Sequence, residues 1–159
     1  VIIDAPPRLT TAAIQALCAS THVVVPTKLD RLSGDAVGPF VNDLEELRSL
    51  WPHLKLVGAV GMMVSENPDT GNEPTPTEQA GEASVNIAVR LAYENRNLHP
   101  PTEFMAPRNT YISENADIAQ NAGVRIAFLN LLGNQRHERV KEMIRRLGAF
   151  INEKVHEGL

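Results

Sequence analysis

Val1-Ile2-Ile3-Asp4-Ala5-Pro6-Pro7 is the stretch on which the fold turns. Three β-branched apolar residues in succession predict a strand buried on both faces, as inside a parallel sheet. Asp4 ends that strand, and Pro6 and Pro7 forbid its continuation as helix or strand. An aspartate at the carboxyl end of a buried strand lies where α/β sheets bind ligands. The plainer alternative is an Asp that simply opens a turn.

The chain after Pro7 repeats the same alternation. Thr10 or Thr11 is placed to cap a helix through about Ser20, with Leu9, Ala13, Ala16 and Leu17 on one side. His22-Val23-Val24-Val25 predicts a second strand ended by Pro26, and residues 27–31 a polar loop. Ser33 or Asp35 opens a second helix to about Trp51, and Pro39 argues for a start later than Ser33. Its apolar stripe is Val37, Val41, Leu44, Leu47 and Trp51. Residues 54–64 predict a third buried strand, whose glycines imply close approach by a helix or a ligand.

Residues 65–82 carry five acids, no Lys or Arg, and three prolines, which predicts an exposed loop. A helix from Thr77 or Glu82 to Asn95 follows, then a short strand over 102–105. Ser113 is placed to cap a brief helix to Ala122, and residues 124–128 read as a last strand. Residues 134–155 form the longest predicted helix, with Val140, Ile144, Leu147 and Ile151 on one face. Strands alternating with helices predict an α/β fold with a parallel sheet and flanking helices. Right-handed crossovers would gather Asp4 to Pro7, Pro26 to Asp30, Met63 to Asn67 and Pro107-Arg108-Asn109 at one edge.

Composition bounds the function. The 159 residues are 43% apolar and 21% charged, which is globular and sufficient for one domain with a core. A net charge of -4 argues against a strong nucleic-acid binder acting as a monomer. The lone Cys18 excludes an intramolecular disulfide and fits the cytoplasm. The five histidines show no metal-ligand spacing. The chain opens inside a predicted central strand, from which we expect the C-terminal part of a larger protein.

Two motifs together resemble the ParA/MinD group of deviant P-loop ATPases. The first is Val1 to Pro7 followed by Leu9, Thr11, Ala16-Leu17 and Val23-Val24-Val25-Pro26. The second is Ala106-Pro107-Arg108-Asn109-Thr110-Tyr111-Ile112-Ser113-Glu114, similar to the Pro-Arg-Asn segment of chromosomal ParA-type proteins. The resemblance runs from Val1 to about Phe128 and implies a partial P-loop NTPase fold over residues 1–159, with 134–159 as a terminal helix packed on it. It implies that Asp4 belongs to the Walker B strand and holds Mg²⁺ through water. It also implies that Ala5, Pro6 and Pro7 form the second switch, and that Pro107, Arg108, Asn109 and Met63 surround the nucleotide.

The same resemblance implies an ATP-driven homodimer, slow hydrolysis stimulated by a ParB-like or cargo protein, and a role in partitioning DNA or positioning another cargo. Arg139, Arg145 and Arg146 are the residues a nonspecific DNA patch would use. The last helix has six bases against four acids, so a solvated face is the preferred reading. Its end lacks the amphipathic pattern of a membrane anchor. No Gly-Lys pair occurs anywhere, so these residues hold no phosphate-binding loop. Two alternatives stay open: a carboxylate-activating branch of the superfamily, of the dethiobiotin-synthetase or CobQ type, and a non-catalytic interaction module.

Overall fold

A computed structural model describes residues 1–6, 8–65, 74–114 and 135–157. Element order is α1 (Thr11–Cys18), β1 (His22–Lys28), α2 (Arg31–Leu50), β2 (Lys55–Val64), α3 (Pro76–Glu94), a 3-10 turn (Arg108–Thr110), β3 (Ile112–Ser113) and α4 (Gln135–His156). The three strands form one sheet in the order β1-β2-β3, and both pairings are parallel. The predicted α/β class with a parallel sheet is therefore observed. The alternation along β2 explains the layers. Ala59 joins the core beneath α2 and α3, whereas Val60, Met62 and Val64 face the cluster that contains Leu147 and Phe150 of α4. Leu17 of α1, Leu44 of α2 and Leu54 close a third cluster at the amino end of the sheet.

Local chemistry accounts for the helix starts. The Thr10 hydroxyl takes the Ala13 N–H at 3.3 Å and caps α1. Asp30 caps α2 by accepting the Ser33 N–H at 2.8 Å, and this bond is the first cause of its lowered pKa. Thr75 and Glu78 form a reciprocal capping box at the start of α3, with Pro76 at the first helical position. The helices α2 and α3 then pack closely through small residues. A Cβ at Gly34 would fall 2.8 Å from Ser84 Cβ, and one at Gly38 would fall 3.1 Å from Ala88 Cβ. Below that contact, the Tyr93 hydroxyl donates to the buried Glu45 at 2.7 Å, and Arg48 binds both Glu45 oxygens. Burial, followed by the Glu45 carboxylate, pushes the Tyr93 pKa upward.

Several expectations are corrected. Val1 to Ile3 form no strand: Val1 and Ile2 are fully exposed and Ile3 is 45% exposed. A buried strand needs a hydrogen-bonded neighbour, and among the described residues β1 pairs only with β2. Strand β1 runs through Pro26 to Lys28 because its outer edge has no strand partner among the described residues, so no ladder bond is lost there. Helix α2 starts at Arg31 and contains Pro39. Pro39 and Asp35 are both exposed, so water can take the carbonyl that proline leaves unpaired.

The segment 102–105 contributes an isolated bridge, Ala59 to Met105, in place of a strand. Ser113 lies in β3 and not at a helix start. The predicted helix to Ala122 and strand 124–128 fall outside the described residues, as do Pro7 and residues 66–73.

Candidate functional site

β2 is the axis of the carboxyl half of the sheet, and it is irregular twice. Its register slips against β1 between Val23 and Val24, and against β3 between Met62 and Val64. Each slip carries a residue of positive φ, Gly58 at 139° and Met63 at 56°. Such bulges aim side chains or make room for neighbouring chain. At Gly58 the neighbour is the Phe104 carbonyl, which accepts the Ala59 N–H at 2.8 Å and would collide with any Cβ. At Gly61 it is the Tyr111 ring, 2.6 Å from a Cβ built there. The close approach that the glycines imply is thus made by adjacent chain, not by a helix or a ligand. Met63 is different: it is half-exposed at 50%, and the left-handed region costs a non-glycine residue about 1 kcal/mol or more.

Between its two pairings with β2 the chain swings outward. Met105 lies opposite Ala59, and Ile112 opposite Met62, so six intervening residues pass two of β2. Pro107-Arg108-Asn109 is this excursion. It closes on itself through Thr110 N–H and hydroxyl, both donated to the Pro107 carbonyl, at 2.9 and 2.6 Å. Arg108 then donates through Nη2 to Glu82 on α3, and its Cζ stands 5.9 Å from the Tyr111 ring centroid. The Tyr111 hydroxyl donates to the other Glu82 oxygen at 2.6 Å. Burial of Tyr111, then this bond, raises the phenol pKa.

One turn earlier on α3, Glu78 accepts the Ser65 N–H at 2.6 Å and the Thr75 N–H at 2.9 Å. Burial works to raise the Glu78 pKa, but these N–H groups outweigh it and the value falls below that of an ordinary glutamate. The end of β2, the start of α3 and the Arg108 turn are therefore tied together by two carboxylates of one helix.

Not all the predicted residues meet. Arg108 and Asn109 sit in the turn, and Met63 on the β2 bulge toward the same end of the sheet. Asp4, Ala5 and Pro6 are exposed, outside any strand, and Asp4 makes no hydrogen bond or ion pair among the described residues. Glu78, Glu82 and Tyr111 were not among the candidates. Thr75-x-x-Glu78 is a capping-box pattern that marks Glu78 in the sequence, but nothing local marks Glu82. Among the described residues no group of three His, Cys, Asp or Glu side chains could hold a metal ion, and no helix is long and apolar enough to cross a membrane. Compared with protein families, with curated proteins and with solved structures, the chain finds no match.

Proposed function

We propose that the chain is the C-terminal portion of a ParA/MinD-like ATPase and binds adenine nucleotide beside the carboxyl half of its parallel sheet. The observation that carries this reading is the Pro107–Asn109 turn, folded out beside β2 with the Arg108 guanidinium held against a buried tyrosine. A fixed guanidinium suits a nucleotide, which offers acceptor atoms on base, ribose and phosphate. The half-exposed Met63, in a conformation that costs energy, is an apolar surface at the β2 bulge opposite the start of β3. In this reading the intact protein is cytoplasmic, dimerises on ATP and positions DNA or another cargo through a partner protein.

The residues described do not form a Mg²⁺ site by themselves. Mg²⁺ is usually held by one or two carboxylates together with substrate phosphates, and among the described residues no group of three His, Cys, Asp or Glu side chains could hold a metal ion. The absence of a Gly-Lys pair likewise requires the phosphate cradle to come from outside these 159 residues. No hydrolytic step is assigned to the chain.

Titration of the 159-residue chain with a fluorescent methylanthraniloyl-ATP tests the reading. Saturable binding, competed by ATP and weakened about tenfold by Arg108→Ala, is expected for the loss of a charged hydrogen bond. Absence of saturable binding, or binding unchanged by Arg108→Ala, would overturn it. The exposure of Asp4 favours a second reading, a non-catalytic interaction module. That reading predicts no nucleotide binding even when a phosphate-loop segment is supplied.

A further inference from the structure

The turn that carries Arg108 is closed by its own hydrogen bonds, but those bonds do not set where the guanidinium stands. That is decided at Glu82. One Glu82 oxygen accepts from the Tyr111 hydroxyl at 2.6 Å and the other from Arg108 Nη2. The Glu82 side chain is 19% exposed and that of Arg108 is 38% exposed, so the pair sits at a boundary with one partner leaning outward. Tyr111 is itself immobilised, because its ring is buried against Gly61. A guanidinium has five N–H donors in a rigid plane, and Glu82 engages only those of Nη2. Nε and Nη1 make no hydrogen bond among the described residues.

We propose that Glu82 is a positioning residue: it anchors Arg108 through Nη2 over the Tyr111 ring and so presents Nε and Nη1 to the acceptor atoms of a nucleotide. The inference rests on the nucleotide reading of Arg108. It differs from a purely structural ion pair in one respect, since Glu82 acts on the ligand only through Arg108. It differs from autoinhibition in sign. A carboxylate that merely competed with an anionic ligand for Arg108 would weaken binding, and its neutralisation would strengthen it.

The experiment uses the full 159-residue chain and methylanthraniloyl-ATP, with Glu82→Gln, Tyr111→Phe, Arg108→Ala and the double variant Glu82→Gln/Arg108→Ala. Glutamine keeps an acceptor for Tyr111 while removing the charge that holds Arg108, so folding is preserved. We expect Glu82→Gln to weaken binding about five- to tenfold, Tyr111→Phe to weaken it less, and the double variant to bind no worse than Arg108→Ala alone.

Binding by Glu82→Gln equal to or tighter than wild type overturns the proposal. So does a double variant weaker than Arg108→Ala by the full Glu82→Gln factor. If Arg108→Ala itself changes nothing, or the wild type does not bind, the nucleotide reading itself fails. The proposal then falls with it, because faster amide exchange at Thr110 and Tyr111 in Glu82→Gln would equally follow from a purely structural ion pair.

Discussion

Glu78 and Glu82 stand one turn apart on α3, and each accepts hydrogen bonds from chain that flanks a strand of the sheet. Glu78 takes the Ser65 N–H just past β2, and Glu82 takes the Tyr111 hydroxyl just before β3. Residues four apart share a helix face, so one face of α3 braces the exit from β2 and the entry to β3. The sheet edge and the Arg108 turn are therefore coupled to a single helix and not to separate loops.

Acid should loosen this brace at Glu78. Its folded pKa lies below the ordinary value of 4.5, because the N–H groups of Ser65 and Thr75 outweigh the effect of burial. A lowered pKa contributes stability that is fully present above about pH 4.5 and is lost as pH falls through the folded value. Glu78→Gln should be about 1–2 kcal/mol less stable at pH 7, with the difference shrinking below pH 4.5. Urea unfolding of both proteins between pH 7 and pH 3 checks this, and a gap independent of pH would contradict it.

The close approaches of α3 to α2 and to the residues just before it predict an ordered series of alanine substitutions. At Gly81 a Cβ would collide with the Leu29 carbonyl, which is backbone and cannot swing away. At Gly34 it would lie 2.8 Å from Ser84 Cβ, and at Gly38 3.1 Å from Ala88 Cβ. Overpacking costs about 1–3 kcal/mol, whereas alanine gains about 1 kcal/mol over glycine within a helix. Gly81→Ala and Gly34→Ala should each lower stability, with Gly81→Ala the worse, and Gly38→Ala should be nearly neutral. Denaturant midpoints of the three variants give the order directly.

Met63→Gly should stabilise the chain. The native φ of 56° is free for glycine and costly for methionine, and a side chain 50% exposed loses little packing when removed. A gain of roughly 1 kcal/mol, read as a higher melting temperature, is expected. A fall in melting temperature would mean that the Met63 side chain is held by contacts that outweigh the backbone cost.

Local pattern carried much of the fold. The period of α4, the Thr10 cap, the α3 segment and the apolar runs of β1 and β2 are all legible in the sequence, because helix phase and strand composition depend on residues a few positions apart. The same logic misled at Val1 to Ile3. Their composition is that of a buried strand, but burial requires a partner strand, and none pairs with them among the described residues. Pro39 and Pro26 misled in the opposite sense, since both are tolerated where the lost N–H has no buried partner to miss.

The candidate site divides in the same way. Arg108 and Met63 could be singled out from sequence; Glu82 could not, because its partners lie 26 and 29 residues away and nothing in its own neighbourhood announces them. By itself the sequence determined the helical segments α1 to α4, the extended runs of β1 and β2, and the parallel α/β class. Only the tertiary structure decided which strands pair, that β2 bulges at Gly58 and Met63, and that a helix carboxylate sets the Arg108 turn. Those outcomes depend on backbone hydrogen bonds and side-chain contacts between residues far apart in the chain, and local periodicity carries no information about them.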